Sequence, residues 1–209
     1  MIYHKWKVIL VGIPKTGSTS LHTMLSNKTD YRSGMDGHDH ENIFDIYKQN
    51  DVDLLATYTS IACVRNPYDR FFSYWKHTIT GLSPIHQIDD DQLIKQFRDY
   101  VKWFDTQDIN SDAKTYPHSL HQWKFISLDK KHFLVDHILR LESFREDWKK
   151  FQSVYNSMDV VPYEMDIKVR HENITSSIPY TEAYDAETAN IIYRYYKGDF
   201  LTFNYPKEL

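Results

Sequence analysis

Apolar residues along this chain fall into two patterns, short continuous runs and longer stretches with helical spacing. The continuous runs predict buried strands near 7–11, 58–64 and 132–138. Helical segments are predicted near 18–26, 67–79, 89–104, 143–157 and 185–197. The strands and helices alternate, and few signals of β-hairpins occur between them. This pattern is typical of a mostly parallel sheet covered by helices.

Polar stretches between these elements predict loops. We expect loops over 27–42, 80–88 and 105–117 and mostly irregular structure over 159–184, whereas 118–127 is ambiguous. No repeat, low-complexity tract or interdomain linker interrupts the chain, and its 209 residues are enough to bury a full core. The sequence therefore predicts a single domain over 1–209 with an α/β fold.

The first predicted strand leads into a turn that has the features of a phosphate-binding loop. The apolar run continues into the segment 12–17, which contains a proline and two glycines, and a helix rich in hydroxyl groups follows. Backbone N–H groups of such a turn and of a helix N-terminus attract anions. Lys15 adds a positive charge, and hydroxyl groups come from Ser18, Thr19 and Ser20. The alternative is an ordinary strand–turn–helix connection with a capping serine or threonine.

The loop differs from the ATP-binding pattern in the position of its lysine. Gly12 and Gly17 have the spacing of G-x-x-x-x-G-K-[ST], but Ser18 stands where that pattern requires lysine. The only lysine of the loop is Lys15, which would contact a phosphate from inside the turn instead of reaching along the helix toward a third phosphate. This arrangement favours a ligand with a terminal 5′-phosphate group over a triphosphate bound with magnesium.

A second strand-to-helix junction offers groups for a separate phosphate. Asn66 and Pro67 suit the cap and the first turn of the helix that follows. Arg65 precedes them at the end of the strand, and Ser73 lies two turns into the helix. A guanidinium offers phosphate a planar bidentate fork, and a hydroxyl adds a further hydrogen bond. The alternative is that Arg65 pairs with Asp69 and that Ser73 is an ordinary residue of the helix surface.

Together the two segments resemble the paired signatures of sulfotransferases that use 3′-phosphoadenosine 5′-phosphosulfate (PAPS). The family pattern P-K-[TS]-[GA]-[ST]-[ST], which binds the 5′-phosphosulfate, matches residues 14–19. The pattern R-[ND]-P-x-x-R-x-x-S, which binds the 3′-phosphate, matches residues 65–73. The segment 135–142 is similar to the D-x-I-x-R-x-E strand of the carbohydrate sulfotransferase branch, and 180–205 is similar to its C-terminal Y-T-x-x-Y…I-Y-x-x-Y-x-x-D-F…F-x-Y block.

The resemblance implies a P-loop-like, three-layer α/β fold with a central, mostly parallel sheet flanked by helices. It implies transfer of a sulfuryl group from PAPS to a hydroxyl acceptor, a carbohydrate in the similar branch, with 3′-phosphoadenosine 5′-phosphate (PAP) as product and no metal. The residues implied for the 5′-phosphosulfate are Pro14, Lys15, Thr16, Gly17, Ser18, Thr19 and Ser20. Among them Lys15 would neutralise charge on the bridging oxygen, while Arg65 and Ser73 would hold the 3′-phosphate.

The catalytic base is predicted to be a histidine. Sulfuryl transfer to an alcohol needs a group that takes the hydroxyl proton, and histidine suits this task near neutral pH. In the similar 2-O-sulfotransferases, a histidine between the two cofactor motifs is the base, which implies His40 as first choice and His38 as second. One alternative is a zinc or manganese site formed by both histidines with Asp36, Asp39 and Glu41. Another is a solvated loop without chemistry.

Composition and charge restrict the remaining classes. The net charge of −4 argues against a nucleic-acid partner, so an anionic ligand would need local positive charge from Lys15, Arg65 and Arg70. The single cysteine, Cys63, lies in an apolar run and is expected in the core, without a disulfide. The N-terminus runs almost directly into the first strand, so we expect no signal peptide, no transmembrane segment and a cytoplasmic enzyme. The alternative is the trimmed lumenal part of a Golgi protein.

Two other functions stay open at this point, and the sequence predicts no oligomeric state. The first is a P-loop kinase-like phosphotransferase, against which stands Ser18 in place of the usual lysine. The second is a non-catalytic nucleotide-binding protein of the same fold.

Overall fold

Four strands form one sheet in the computed structural model, which describes residues 1–26, 40–80, 89–159, 161–169 and 178–209. The strands are β1 (Ile2–Tyr3), β2 (Val8–Val11), β3 (Thr59–Val64) and β4 (His137–Arg140), and they lie in the order β1–β2–β3–β4. The strands β2, β3 and β4 are parallel, whereas β1 pairs antiparallel with β2. The predicted mostly parallel sheet is confirmed.

Helices account for most of the other described residues. They are α1 (Ser18–Leu25), α2 (Ile43–Gln49), α3 (Val52–Leu55), α4 (Pro67–Thr80), α5 (Asp90–Thr106), α6 (Asp112–Thr115), α7 (Trp123–Ile126), α8 (Phe144–Asn156), α9 (Tyr180–Ala183) and α10 (Ala186–Thr202), and a 3₁₀ turn covers Pro117–Ser119. The last helix, α10, is kinked at Tyr196, where φ is −94° and ψ is 17°. A mostly parallel sheet with flanking helices is the predicted α/β fold class, which is therefore confirmed.

The central strands are buried, and their ends define one edge of the sheet. All four side chains of β2 and five of the six in β3 are buried, which explains why both sequences are uninterrupted apolar runs. Val11 lies opposite Ala62, and Val64 lies opposite Arg140, so the carboxyl ends of β2, β3 and β4 meet at the same edge. In parallel α/β sheets this is the edge where ligands bind.

The chain forms two compact units, and each unit contains two separate parts of the chain. The first unit comprises Met1–Val64 and Gln122–Asn173 and holds the whole sheet. The second comprises Arg65–His121 and Ile174–Leu209, and its described residues form helices and turns. The expectation of a single domain over 1–209 stays a prediction.

Each unit has its own hydrophobic core. The core of the first unit includes Leu10, Leu21, Ile61, Leu139, Trp148 and Phe151. The core of the second unit is mainly aromatic and includes Tyr68, Phe71, Phe72, Trp75, Phe97, Phe104, Tyr184, Tyr196 and Phe200. Ring pairs such as Phe72 with Phe97, whose centroids are 4.9 Å apart, have the edge-on geometry that aromatic pairs prefer. Much of the aromatic content of the sequence is therefore core.

The last strand lies further along the chain than predicted. We expected it over 132–138, whereas β4 begins at the end of that range. A bridge between Ser127 and Phe133 closes a turn before the strand. The Asp136 carboxylate accepts hydrogen bonds from the backbone N–H and the hydroxyl of Ser60, both at 2.7 Å. The turn closed by the bridge and the long-range contact of Asp136 with Ser60 hold the first part of the apolar segment outside the regular strand.

Several short elements were not predicted. No element was predicted where β1, α2 and α3 lie, while α6 and α9 fall inside the stretches expected to be loop or irregular. Short helices contain too few turns for a periodic signal, and α2 depends on a cap, because the Asn42 side chain accepts the N–H of Asp45 at 3.0 Å. Of the predicted loops over 27–42 and 80–88, residues 27–39 and 81–88 lie outside the described residues.

Asp185 caps α10 in a way that predicts a pH-dependent loss of stability. Its carboxylate accepts the N–H and hydroxyl of Thr188 at 2.8 and 2.7 Å. Partial burial raises the pKa of Asp185, but these hydrogen bonds, together with the positive charges of Arg98 and Lys102, outweigh it and hold the pKa below its usual value of 3.8. We expect Asp185→Ala to lower the free energy of unfolding by about 1 kcal/mol near neutral pH.

The contribution of a carboxylate with a lowered pKa is present above its unfolded pKa and is lost as the pH falls through its folded pKa. Urea unfolding should therefore show a smaller difference between wild type and Asp185→Ala at about pH 3 than at about pH 7. An equal difference at both pH values would contradict this account.

Candidate functional site

The loop between β2 and α1 has two residues in the left-handed backbone region. The φ angle is 64° at Lys15 and 81° at Gly17. Turns of this kind direct successive N–H groups into a concave, anion-binding surface. Gly17 is also the N-cap of α1, so the N–H groups of residues 18–20 have no acceptor within the helix, and its positive end faces the loop. The loop therefore has the geometry to bind an anion.

Side chains of the loop divide between the core and the surface. The Thr16 side chain is buried, and its hydroxyl donates to the carbonyl of Ile13 at 2.8 Å. A contribution of Thr16 to a ligand would thus come from its backbone. Pro14 and Ser18 are also buried, Lys15, Gly17 and Ser20 are half-buried, and Thr19 is exposed.

Leu141 packs against Gly17 and supports the loop, a role that the sequence analysis did not predict. A Cβ atom on Gly17 would lie 2.9 Å from Leu141 Cδ1, so space and the positive φ both require glycine. Leu141 follows β4 directly, and the turn after it is held by Asp147, whose carboxylate accepts the Arg140 N–H and the Ser143 hydroxyl, both at 2.9 Å. The position of Leu141 directly after an apolar strand is visible in the sequence, but its contact with Gly17 is not.

His40 contacts the first residue of the same loop. Its Nδ1 atom lies 2.8 Å from the carbonyl oxygen of Gly12, across 28 residues of chain. A carbonyl oxygen only accepts hydrogen bonds, so Nδ1 carries the hydrogen and Nε2 of the neutral ring carries the lone pair. The structure thus brings the first predicted base to the predicted phosphate loop. The second choice, His38, lies outside the described residues.

Arg65, the residue predicted to bind a second phosphate, pairs with Asp69. Arg65 Nε lies 2.8 Å from Asp69 Oδ2, and Nη2 lies 2.7 Å from Oδ1. This pairing was the alternative interpretation of the sequence, and it is present. The predicted cap is confirmed, because Asn66 Oδ1 accepts the N–H of Tyr68 at 2.9 Å at the start of α4. Ser73 is half-buried further along this helix.

Arg70 is a core residue, contrary to the expectation that its charge would help hold an anionic ligand. Its side chain is only 1% exposed, and Nη2 donates to the carbonyl of His118 at 3.1 Å. Its guanidinium carbon lies 5.8 Å from the centre of the Tyr196 ring. Burial raises the pKa of Tyr196 well above its usual value, and the positive charge of Arg70 opposes that rise. The expected role of Arg70 in a phosphate site is therefore wrong.

Other predicted groups have simpler outcomes. Cys63 is buried in β3, as expected of a core residue. Within the described ranges no group of three or more His, Cys, Asp or Glu side chains is arranged to hold a metal ion, and Asp36 and Asp39 lie outside those ranges. None of the helices that the structure describes has the length and apolar character of a membrane span.

Comparison with known proteins identifies the family. The sequence model of the sulfotransferase family matches residues 1–206, which is nearly the whole chain. This range contains the loop between β2 and α1, His40 and residues 65–73. Searches of curated proteins and of solved structures each returned no significant match. The α/β fold is consistent with this match, which covers nearly the whole chain, and the chain belongs to the sulfotransferase family.

Proposed function

We propose that this chain transfers a sulfuryl group from PAPS to a hydroxyl group of a carbohydrate acceptor and releases PAP. Sulfuryl transfer follows from the family, whereas the donor, the acceptor and the base are the proposal. The observation that carries it is the hydrogen bond from His40 Nδ1 to the Gly12 carbonyl. This hydrogen bond connects His40, which is able to take a proton, to the loop between β2 and α1, which has the geometry to bind an anion. Sulfuryl transfer requires both functions.

The loop and the start of α1 are proposed to hold the 5′-phosphosulfate. The backbone N–H groups of residues 16–19 would bind the 5′-phosphate, together with the hydroxyls of Ser18 and Thr19. Pro14 and Ser20 are the first and last residues of the segment proposed to hold the 5′-phosphosulfate. Lys15 would neutralise the negative charge that develops on the bridging oxygen as the sulfuryl group leaves. The left-handed conformations at Lys15 and Gly17 support this assignment, because they form the concave turn that an anion requires.

His40 is proposed to act as the base through its Nε2 atom. The acceptor oxygen bonds to sulfur while the bridging S–O bond breaks. The hydroxyl proton passes to Nε2, and the negative charge leaves on PAP. The Gly12 carbonyl has two effects on His40 here: it keeps the hydrogen on Nδ1 beforehand, and its oxygen stabilises the positive ring afterwards.

Arg65 and Ser73 are proposed to hold the 3′-phosphate, which would distinguish PAPS from ATP-like nucleotides. Arg65 carries a fixed positive charge in a planar fork, the geometry that suits phosphate. No metal takes part in this scheme, because Lys15 and Arg65 supply the positive charge. A cytoplasmic location, a single domain and the absence of a nucleic-acid partner remain predictions. Carbohydrate as acceptor rests on the similarity of residues 135–142 and 180–205 to the carbohydrate branch.

Calorimetric titration with PAP tests the donor directly. We expect PAP to bind much more tightly than 5′-AMP, which lacks the 3′-phosphate, and more tightly than ATP with magnesium. A preference for magnesium-ATP would point instead to kinase-like chemistry and would overturn the proposal. Binding of PAP without turnover on any acceptor would favour a non-catalytic nucleotide-binding protein of this fold.

Arg65→Ala should weaken PAP binding selectively. Loss of a charge-assisted bidentate contact is expected to cost about 2–3 kcal/mol, or roughly 30- to 150-fold in Kd, while the Kd for 5′-AMP stays within about twofold. Arg194→Ala is a matched control, because Arg194 also pairs with a carboxylate, that of Asp105 at 3.0 Å, but has no assigned role. Unchanged PAP affinity in Arg65→Ala would contradict the two-phosphate scheme.

A further inference from the structure

The Arg65 side chain is held by a carboxylate on the first turn of α4. Both oxygens of Asp69 accept from Arg65, through Nε at 2.8 Å and Nη2 at 2.7 Å. The two side chains are only 19% and 25% exposed, so the pair is partly shielded from water. Two short parallel bonds fix the plane and the direction of the guanidinium, which a single contact would not do.

Asp69 and Ser73 lie on one accessible stripe of α4. They are four residues apart and therefore face the same side of the helix. Both are half-buried, whereas Arg70, Phe71 and Phe72 between them are buried in the second unit. Asp69 therefore orients the Arg65 guanidinium at the N-terminal end of the helix face that also carries the Ser73 hydroxyl.

A guanidinium can engage two anions at once through different edges. Its side edge consists of Nε–H and one N–H of Nη2, and this is the edge that Asp69 occupies. Its end edge consists of one N–H from each of Nη1 and Nη2, and it has the same bidentate geometry toward a carboxylate or phosphate. Pairing with Asp69 and binding of a phosphate are therefore compatible.

We propose that Asp69 is a positioning residue that holds the Arg65 fork in the orientation in which its end edge receives the 3′-phosphate of the nucleotide. This inference rests on the proposed function, since it assumes that Arg65 binds that phosphate. Loss of Asp69 would remove the two bonds that fix the plane of the guanidinium, so part of its ordering would fall at the moment of binding, which weakens binding. The negative charge of Asp69 has a smaller effect, because the positive guanidinium separates it from the phosphate.

The test is the ratio of the Kd for 5′-AMP to the Kd for PAP, which measures the contribution of the 3′-phosphate alone. In Asp69→Ala we expect this ratio to fall by about three- to tenfold, with the affinity for 5′-AMP unchanged. In turnover assays the KM for PAPS should rise while kcat changes little. General damage to the fold would instead alter both nucleotides and kcat, so the two readouts separate positioning from stability.

Asp99→Ala is a matched control, because it also removes an ion pair between two residues one helical turn apart. Asp99 pairs with Lys95 on α5 at 3.4 Å, in the same i,i+4 relation but with both side chains exposed. We expect no change in its ratio. Asp69→Glu keeps the carboxylate on the same turn and should restore most of the wild-type ratio. If Asp69→Ala is poorly folded, Asp69→Asn preserves the volume of the side chain, and its ratio should also fall.

An unchanged or increased ratio in Asp69→Ala and Asp69→Asn would overturn the inference, because it would mean that Asp69 either has no effect on the phosphate or repels it. This outcome is distinct from failure of the proposed function. If the wild-type protein itself does not prefer PAP to 5′-AMP, the assignment of Arg65 fails. If the wild type has that preference and the Asp69 variants retain it in full, only the role of Asp69 fails.

Discussion

Replacing His40 with alanine is expected to lower turnover with PAPS by roughly 10²- to 10⁴-fold, the range typical for loss of a general base. The affinity for PAP should change little, because the loop keeps its own conformation through Gly17, the Thr16 hydroxyl and the contact with Leu141. Radiolabelled sulfate transfer measures the first quantity, and calorimetric titration measures the second.

Two variants separate the possible roles of this histidine. In His40→Asn the side-chain amide N–H lies where Nδ1–H was and can still donate to the Gly12 carbonyl, but no atom replaces Nε2. We expect His40→Asn to be as inactive as His40→Ala. Recovery of turnover in the asparagine variant would mean that His40 only supports the loop. If His38→Ala loses turnover while His40→Ala keeps it, the base is His38.

Lys15→Ala is expected to reduce kcat by roughly 10²- to 10³-fold, as is typical when a preorganised charge at the leaving oxygen is removed. The backbone should tolerate the change, since Lys15 already has a Cβ atom at a φ of 64° and alanine adds no further strain. The measurement is kcat for sulfate transfer at saturating PAPS, together with the Kd for PAP.

Lys130→Ala is a close control for Lys15→Ala. Lys130 is also a lysine of the first unit with a positive φ, 69°, so the substitution removes the same side chain from the same backbone conformation away from the loop. Its kcat should match that of the wild type. Lys15→Arg, which keeps a positive charge, should retain part of the activity. Equal losses in Lys15→Ala and Lys130→Ala would refute a specific role for Lys15.

The elements that the sequence predicted best are those with a strong local signal. The runs of β2 and β3 are buried throughout nearly their whole length, and α5 and α8 present long apolar stripes to the cores. The start of β4 was misplaced, because the apolar character of 132–138 says nothing about the bond between Asp136 and Ser60 that comes before the strand. Short helices such as α2 were missed, since a single cap carries most of their local signal.

In the candidate site, too, features with a local signal were predicted and features that depend on distant contacts were not. The loop at 12–17 and the junction at 65–73 are contiguous segments, so their residues and spacing are visible in the sequence. Partners that are distant along the chain, or that depend on burial, are not visible. Arg70 belongs to the same motif as Arg65 and carries the same charge, yet it is buried and donates to the carbonyl of His118.

By itself the sequence determined the order of the longer strands and helices, the two segments that match the family patterns and hence the family, because these depend on residues close together in the chain. Only the tertiary structure decided that His40 meets Gly12 and that Leu141 leaves room only for glycine at position 17. It also decided that Arg65 is partly exposed and pairs with Asp69, whereas Arg70 is buried. Such contacts depend on how separate segments pack and on which charges lose their water, and neither is encoded in local spacing.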